Sequence, residues 1–272
     1  MSHQVSDQQL LEVASQLAHD AGGIIRSFQG KTIKKEKKSD HSPVTEADLQ
    51  SDQLIREGLE KAFPEIGILT EETGFQSGTQ EGLLWVVDPL DGTKAFVRGI
   101  PGYCVMIGLL KDQEPYLGVV VDPLDDHAYQ AIRGQGAFHI HEGKRERVQV
   151  SSRSQFKEMP LIISTGFPEK KLEKALNLLG SPLVEPINSV GIKVGWMTRQ
   201  IGDIYLNHHG VHYWDTCAPK IILEEAGGVF THLDGAPLVY DLSKGFSHDT
   251  PTLASNGTRH SDLVEICQPL MI

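Results

Sequence analysis

Cysteine is scarce in this chain: Cys104, Cys217 and Cys267 are the three in 272 residues, widely spaced and without a C-x-x-C pair. That scattered odd number suggests neither a disulfide framework nor a zinc site, so the thiols are expected to be buried or incidental. Positive charge is also in short supply, with 25 Lys and Arg against 36 Asp and Glu and a formal net charge of -11. Polymeric nucleic acid calls for basic surface and is therefore not the expected partner. A small anionic substrate remains compatible, because bound cations reverse the local field. No apolar stretch approaches the roughly 20 residues needed to span a bilayer, and no charged-then-apolar leader opens the sequence, so a cytoplasmic location is expected. Internal repeats and low-complexity linkers are lacking as well. Histidines are plentiful at 12, yet His208, His209 and His212 have no clear ligand spacing and read as surface residues.

The most informative stretch is Trp85 to Thr93. Leu83 to Val87 is an apolar run of strand length, Pro89 is expected to end the strand, and Gly92 permits an unusual backbone. Asp88 and Asp91 then face each other across a tight turn. Two such acids repel unless a cation lies between them, and hard divalent ions such as Mg²⁺ take carboxylate, carbonyl and phosphate oxygens. The N–H groups of Gly92 and Thr93 could cradle an anion. A capped Asx-type turn is the alternative reading of the same residues.

Three further acidic segments bear on that choice. Thr45 to Asp48 opens a helical pattern in which Asp48 completes a capping box with Thr45. Ile66 to Leu69 reads as a strand ending at Glu71-Glu72. Trp214-Asp215 precedes a helical stretch from Lys220 to Ala226, which places Asp215 at or just before a helix start. Each has an ordinary structural role when taken alone.

Together, in this order and spacing, Thr45-x-x-Asp48, Glu71-Glu72, Asp88-Pro89-Leu90-Asp91-Gly92-Thr93 and Trp214-Asp215 resemble the inositol monophosphatase superfamily of Mg²⁺-dependent, lithium-sensitive phosphatases. The resemblance runs from the first helix to about Gly257. It leans toward the CysQ-like branch of 3′(2′),5′-bisphosphate nucleotidases through Lys94-Ala95-Phe96, Trp214 to Pro219, and the Gly-rich Ser189 to Lys193. The chain departs from that branch where Ser164-Thr165-Gly166-Phe167 replaces a Ser-Arg-Ser-His run.

The resemblance implies two or three Mg²⁺ ions bound by Glu71, Asp88, the Leu90 carbonyl, Asp91 and Asp215. It implies that Thr93, polarised by Glu71 or Asp48, orients the attacking water. Gly92 and Thr93 would hold phosphoryl oxygens, an ion bridged by Asp91 and Asp215 would meet the leaving oxygen, and Ser189, Lys94 and Lys193 would lie on the substrate. The reaction implied is direct in-line hydrolysis of adenosine 3′,5′-bisphosphate, within sulfate assimilation. An inositol or sugar monophosphatase would use the same site, and a noncatalytic phospho-ligand sensor is the remaining alternative. Family members often pair, so a homodimer is implied as well.

The periodicities fit the implied fold, a layered αβαβα sandwich of mixed α/β (α+β) type. Ser6-Asp7 caps an amphipathic first helix, and the basic run Lys31 to Lys38 reads as a solvated loop or hairpin whose Lys34 to Lys38 could swing toward phosphate. Strand-like runs at Tyr103 to Leu110, Tyr116 to Val121, His127 to Ile132 and Ala137 to Ile140 predict an antiparallel meander. The polar stretch Glu142 to Arg147 and the residues to Ser154 are expected to form a seam between halves 1–150 and 151–272. Beyond it, a strand at Leu161 to Ser164, a helix over Glu169 to Leu179 and a strand at Ile204 to Leu206 begin an αβ alternation.

Overall fold

The computed structural model describes residues 5–31, 35–37 and 43–270. Helix α1 (Asp7–Ser27) opens on a capping box between Ser6 and Gln9. Within the basic run, β1 (Lys35–Lys37) pairs antiparallel with β2 (Pro43–Thr45), and α2 (Glu46–Ala62) follows with Thr45 as its N-cap. The expected approach of Lys34 to Lys38 toward phosphate falls on side chains outside the described residues.

An eight-stranded sheet comes next. It contains β3 (Gly67–Thr70), β4 (Gly74–Gln76) and β5 (Leu83–Asp91), then, after α3 (Thr93–Arg98), the meander β6 (Cys104–Lys111), β7 (Glu114–Asp122), β8 (His127–Ile132) and β9 (Gly136–His141). The polar stretch read as a seam is in part a strand, because β10 (Lys144–Val148) pairs antiparallel with β9. It is an edge strand, with the sheet ordered β10-β9-β8-β7-β6-β5-β3-β4. Charged residues on an edge discourage pairing with another chain, and that same composition disguised the strand as a linker.

The second sheet is ordered β11-β12-β16-β14. Its chain runs β11 (Leu161–Ile162), α4 (Glu169–Leu179), α5 (Val190–Thr198), β12 (Ile204–Asn207), β13 (Val211–His212), α6 (Tyr213–Glu225), β14 (Val229–His232), β15 (Ser247–His248), β16 (Thr252–Ser255) and α7 (His260–Cys267).

Strand alternation sets the layers. Odd-numbered residues of β5 to β7, such as Trp85, Val87, Ile107 and Val119, pack with α1 and α2. Even-numbered ones, such as Leu84, Val86, Met106 and Val120, pack with Val194 of α5 and Ile221 of α6. Ile162 and Tyr205 of the second sheet close that same core from the other side, while Leu161, Ile204 and Leu206 point to α4 and α7. The result is five layers, αβαβα.

A glycine pair lets the middle layer lie close. Gly108 and Gly118 are register partners on β6 and β7. A Cβ on Gly108 would come 2.6 Å from Cys217 Sγ, and one on Gly118 would come 2.6 Å from the Ala218 carbonyl oxygen. The backbone of α6 therefore sits directly on the sheet. All three cysteines are buried, and among the described residues no helix is long and apolar enough to cross a membrane.

Candidate active site

β5 supplies the centre of the site, and a bulge decides its geometry. The strand does not end at Pro89: it continues to Asp91, with Asp88 opposite Met106 but Asp91 opposite Cys104. Three residues on β5 thus match two on β6, which accommodates the proline and shifts the alternation by one. Leu90 turns into the α1/α2 core, whereas Asp91 reaches α5 on the face to which even-numbered residues point before the bulge. Without the extra residue, Asp88 and Asp91 would lie on opposite faces.

β3 runs parallel to β5 with Thr70 opposite Val87, and the Glu71 N–H donates to the Val87 carbonyl at 3.2 Å. Parallel pairing brings Glu71 to the same strand ends as Asp88. Asp215 arrives from the other side of the site as the third residue of α6. The helix begins at Tyr213, earlier than the sequence reading placed it, because Pro219 lies inside the helix instead of breaking it before Lys220.

Asp88, Asp91 and Asp215 each offer an oxygen within 4.8 Å of the others. Each is tethered through one oxygen. Asp88 Oδ1 accepts from the Leu90 N–H at 3.0 Å, and Asp215 Oδ2 accepts from the His212 N–H at 2.6 Å. Asp91 Oδ2 accepts from the Ser189 hydroxyl at 2.7 Å and from the Val190 and Gly191 N–H groups at 2.6 and 3.2 Å. Burial pushes the Asp88 carboxyl well above its ordinary range, assisted by the charges of Glu71, Asp91 and Asp215. Asp91 is pushed up to about 6, first by burial and then by Asp215, against the hydrogen bond from Ser189. Three clustered carboxylates, those of Asp88 and Asp91 buried and raised in proton affinity, with no thiol or imidazole among them, are a donor set suited to a hard divalent cation.

The Thr93 hydroxyl lies 3.1 Å from Asp48 Oδ1 and 3.1 Å from the Leu90 carbonyl, two acceptors between which it can donate. Of the two acids expected to polarise Thr93, the structure therefore places Asp48 against it. Asp48 Oδ2 at the same time accepts from the Thr45 N–H at 2.9 Å, so the helix cap and the threonine partner are one residue. Gly92 adopts φ +92, and a Cβ there would come 2.3 Å from the Gly102 carbonyl oxygen. Only glycine fits that turn. It leads into the first turn of α3, where N–H groups lack intrahelical partners.

These groups line one cavity of about 620 Å³ with Glu71, Asp88, Leu90, Asp91, Gly92, Thr93, Lys94, Val190 and Asp215 on its walls. Arg98, one helical turn after Lys94, lines it too. Sequence reasoning missed Arg98, although its four-residue spacing from Lys94 was the available signal. Neither cation has an ion pair among the described residues. The far wall comprises Ser164, Thr165, Gly166, Asn188, Asn207, His208 and His209. His208 and His209, read from the sequence as surface residues, thus belong to the cavity.

Lys193 does not. Expected on the substrate, it is fully buried beneath the wall, where its ammonium donates to Ser164 Oγ at 2.8 Å and to the Asn188 carbonyl at 2.9 Å. Burial pushes its pKa down to about 8, opposed by the charges of Asp91 and Asp215. Ser189 likewise faces Asp91 and Cys104 from a buried position instead of the cavity.

Comparison with known proteins matches residues 6–265 to the inositol monophosphatase family model. The chain is 30% identical over 240 residues to the 3′(2′),5′-bisphosphate nucleotidase CysQ of Aggregatibacter actinomycetemcomitans, covering 87% of this chain and 89% of that protein. It is 33% identical over 270 residues to the histidinol-phosphatase of Mycobacterium tuberculosis, covering 97% and 98%. With the inositol-1-monophosphatase of a Synechocystis strain it shares 31% over 272 residues, covering 94% and 88%. Among solved structures, an IMPase from Thermotoga maritima superposes with a TM-score of 0.83 at 25% identity, over 97% of this chain and 98% of that one. The inositol monophosphatase from Anabaena gives 0.77 at 28%, over 96% of each. A family match along nearly the whole length, on the five-layer fold and around the carboxylate cluster, means that the chain belongs to the inositol monophosphatase family, a family of metal-dependent phosphatases.

Proposed function

We propose that the protein is a Mg²⁺-dependent phosphomonoesterase acting on a small substrate with a second anionic group, most specifically a 3′(2′),5′-bisphosphate nucleotidase converting adenosine 3′,5′-bisphosphate to AMP and phosphate. The observation that carries this is the polarity of the cavity, with three converging carboxylates at one end and, on the adjoining α3, Lys94 and Arg98, which have no ion pair among the described residues. A 30% identical relative named as that nucleotidase supports the same reading.

The metal ligands proposed are Glu71, Asp88, the Leu90 carbonyl, Asp91 and Asp215. Mg²⁺ held there would supply Lewis acidity, neutralising phosphoryl oxygens and lowering the pKa of water. The chain's own groups then have definite tasks. Thr93, when donating to Asp48, keeps its lone pairs for a water O–H and so aims the water oxygen at phosphorus. Asp48 is the terminal proton acceptor of that pair. The N–H groups of Gly92 and Thr93 bind phosphoryl oxygens at the start of α3. Lys94 and Arg98 hold the second phosphate away from the carboxylates. No side-chain nucleophile is used, so water attacks in line and no phosphoenzyme forms.

A phosphomonoester with a different leaving group is the second reading, favoured by relatives of 31–33% identity named as inositol-1-monophosphatase and histidinol-phosphatase. Phosphate release from adenosine 3′,5′-bisphosphate, inositol 1-phosphate, histidinol phosphate and fructose 1,6-bisphosphate, measured side by side with Mg²⁺, decides between them. The nucleotidase reading expects the nucleotide to have the highest kcat/KM, and expects Lys94→Ala and Arg98→Ala to raise its KM more than that of inositol 1-phosphate. Preference for a monophosphate transfers the site to the second reading.

A further inference from the structure

Lys193 is an unusual cation: fully buried, with no ion pair among the described residues. Its ammonium donates to Ser164 Oγ at 2.8 Å and to the Asn188 carbonyl at 2.9 Å, and lies 4.8 Å over the Tyr205 ring. An apolar side chain of similar length would fill the space without desolvating a charge. What it could not do is hold two oxygens at once.

Both oxygens belong to residues of the far wall of the cavity. Ser164 follows β11 and Asn188 precedes α5, so these are separate segments of chain. Nζ joins them from beneath, and the Asn188 side chain joins them a second time, its Oδ1 accepting from the Thr165 hydroxyl at 2.6 Å and the Thr165 N–H at 3.3 Å. The first turn of α5 is meanwhile fixed to the carboxylate end, because the Val190 and Gly191 N–H groups donate to Asp91. Lys193 lies on this same helix. One short element is thus bonded to the carboxylate cluster by its start and to the opposite wall by its lysine.

We infer that Lys193 is a positioning residue that sets the far wall relative to the carboxylate cluster, and thereby selects the leaving group without touching it. This rests on the phosphatase reading, in which the phosphoryl group occupies the carboxylate end and the rest of the ester meets the far wall. It does not depend on which ester is preferred.

The test compares kcat/KM for two substrates in Lys193→Met: the ester that the wild-type protein cleaves best in the panel above, and p-nitrophenyl phosphate, whose compact leaving group needs less of the wall. The ratio of the two is expected to fall about tenfold through the KM of the preferred ester, less than the roughly 100-fold that misplacing the reacting groups themselves by about 1 Å can cost. Mg²⁺ affinity of the metal-free protein, measured by calorimetry, is expected not to weaken, which separates repositioning of the wall from general disruption. A ratio within threefold of wild type overturns the inference, as does a weakened Mg²⁺ affinity accompanied by equal losses on both esters. Ser164→Ala removes one of the two oxygens and keeps the charge. It is expected to lower the ratio in the same direction, and it decides the matter if Lys193→Met does not fold. Preference of the wild type for inositol 1-phosphate would defeat the nucleotidase assignment yet leave this test intact, whereas absence of phosphate release from every ester would defeat both.

Discussion

Each aspartate in the cluster accepts a backbone N–H through one oxygen and offers an oxygen within 4.8 Å of the other two aspartates. Such tethering fixes the ligands before any ion arrives, at the cost of concentrating negative charge in a buried place. Thr93 is placed in the same manner, between Asp48 and the Leu90 carbonyl, where its hydroxyl would, on the proposed reading, link Asp48 to the attacking water. Thr93→Val is nearly the same size, so its effect is expected in chemistry more than in folding. A fall in kcat of about 100-fold to 1,000-fold is expected, the range for losing a positioned proton-transfer group, with Mg²⁺ affinity by calorimetry close to wild type. A variant that retains kcat would remove Thr93 from the reaction. The two lysines singled out from sequence met different fates for a residue-level reason. Lys94 is exposed on a helix turn beside the cavity, while Lys193 sits on an α5 so apolar that nearly all of it is buried, and nothing in a lone lysine reveals that its partners will be Ser164 and a carbonyl.

At the scale of elements, the site depends on α6 lying close enough to the eight-stranded sheet for Asp215 to meet Asp88 and Asp91. The notch of Gly108 and Gly118 sets that height, one turn along the helix from Asp215. Gly118→Ala would place a methyl 2.6 Å from the Ala218 carbonyl oxygen and of Ile221 Cγ2. The expected cost is about 1–3 kcal/mol from overpacking, read in urea unfolding, together with weaker Mg²⁺ binding as Asp215 is lifted. Stability and metal affinity both unchanged would show that α6 is not held by the notch. Helix α4 and the four-strand meander were legible in the sequence because their periodicities are clean. The start of α6, the continuation of β5 past Pro89 and the edge strand β10 were not, since each contains residues that locally signal a break: Pro219, Pro89 and a run of charges. Tertiary packing overrode all three. The bulge in β5 is the most consequential of these, because a turn would not by itself have put both aspartates on one face.

For the whole molecule, the order of the acidic motifs was legible while their convergence was not. Parallel pairing of β3 with β5 brings Glu71 in, the α2 cap brings Asp48, and the middle helical layer brings Asp215, none of which spacing alone specifies. The central claim is that this convergence is a cation site, and it has a pH signature. Asp88 and Asp91 have folded pKa values raised above their unfolded ones, with Asp91 at about 6. Their contribution to the stability of the metal-free protein is therefore fully present below about pH 4, the unfolded carboxylate range, and is lost as pH rises through the folded values. Burial pushes His127, which lies away from the carboxylate cluster, the other way, down to about 4, so it adds stability as pH rises from about 4 to 6.5 whether or not metal is bound. The difference in Tm between Mg²⁺ and chelator cancels that histidine and reports on the carboxylates and the groups coupled to them, His248 beside Asp215 included. That difference, followed from pH 4.5 to 7.5 in wild type and in Asp91→Asn, is the measurement to make. The account predicts little stabilisation by Mg²⁺ at pH 4.5, several degrees by pH 7.5, and a much smaller gain in Asp91→Asn. Equal Tm values with Mg²⁺ and with chelator across the range, or a gain untouched by Asp91→Asn, would contradict it.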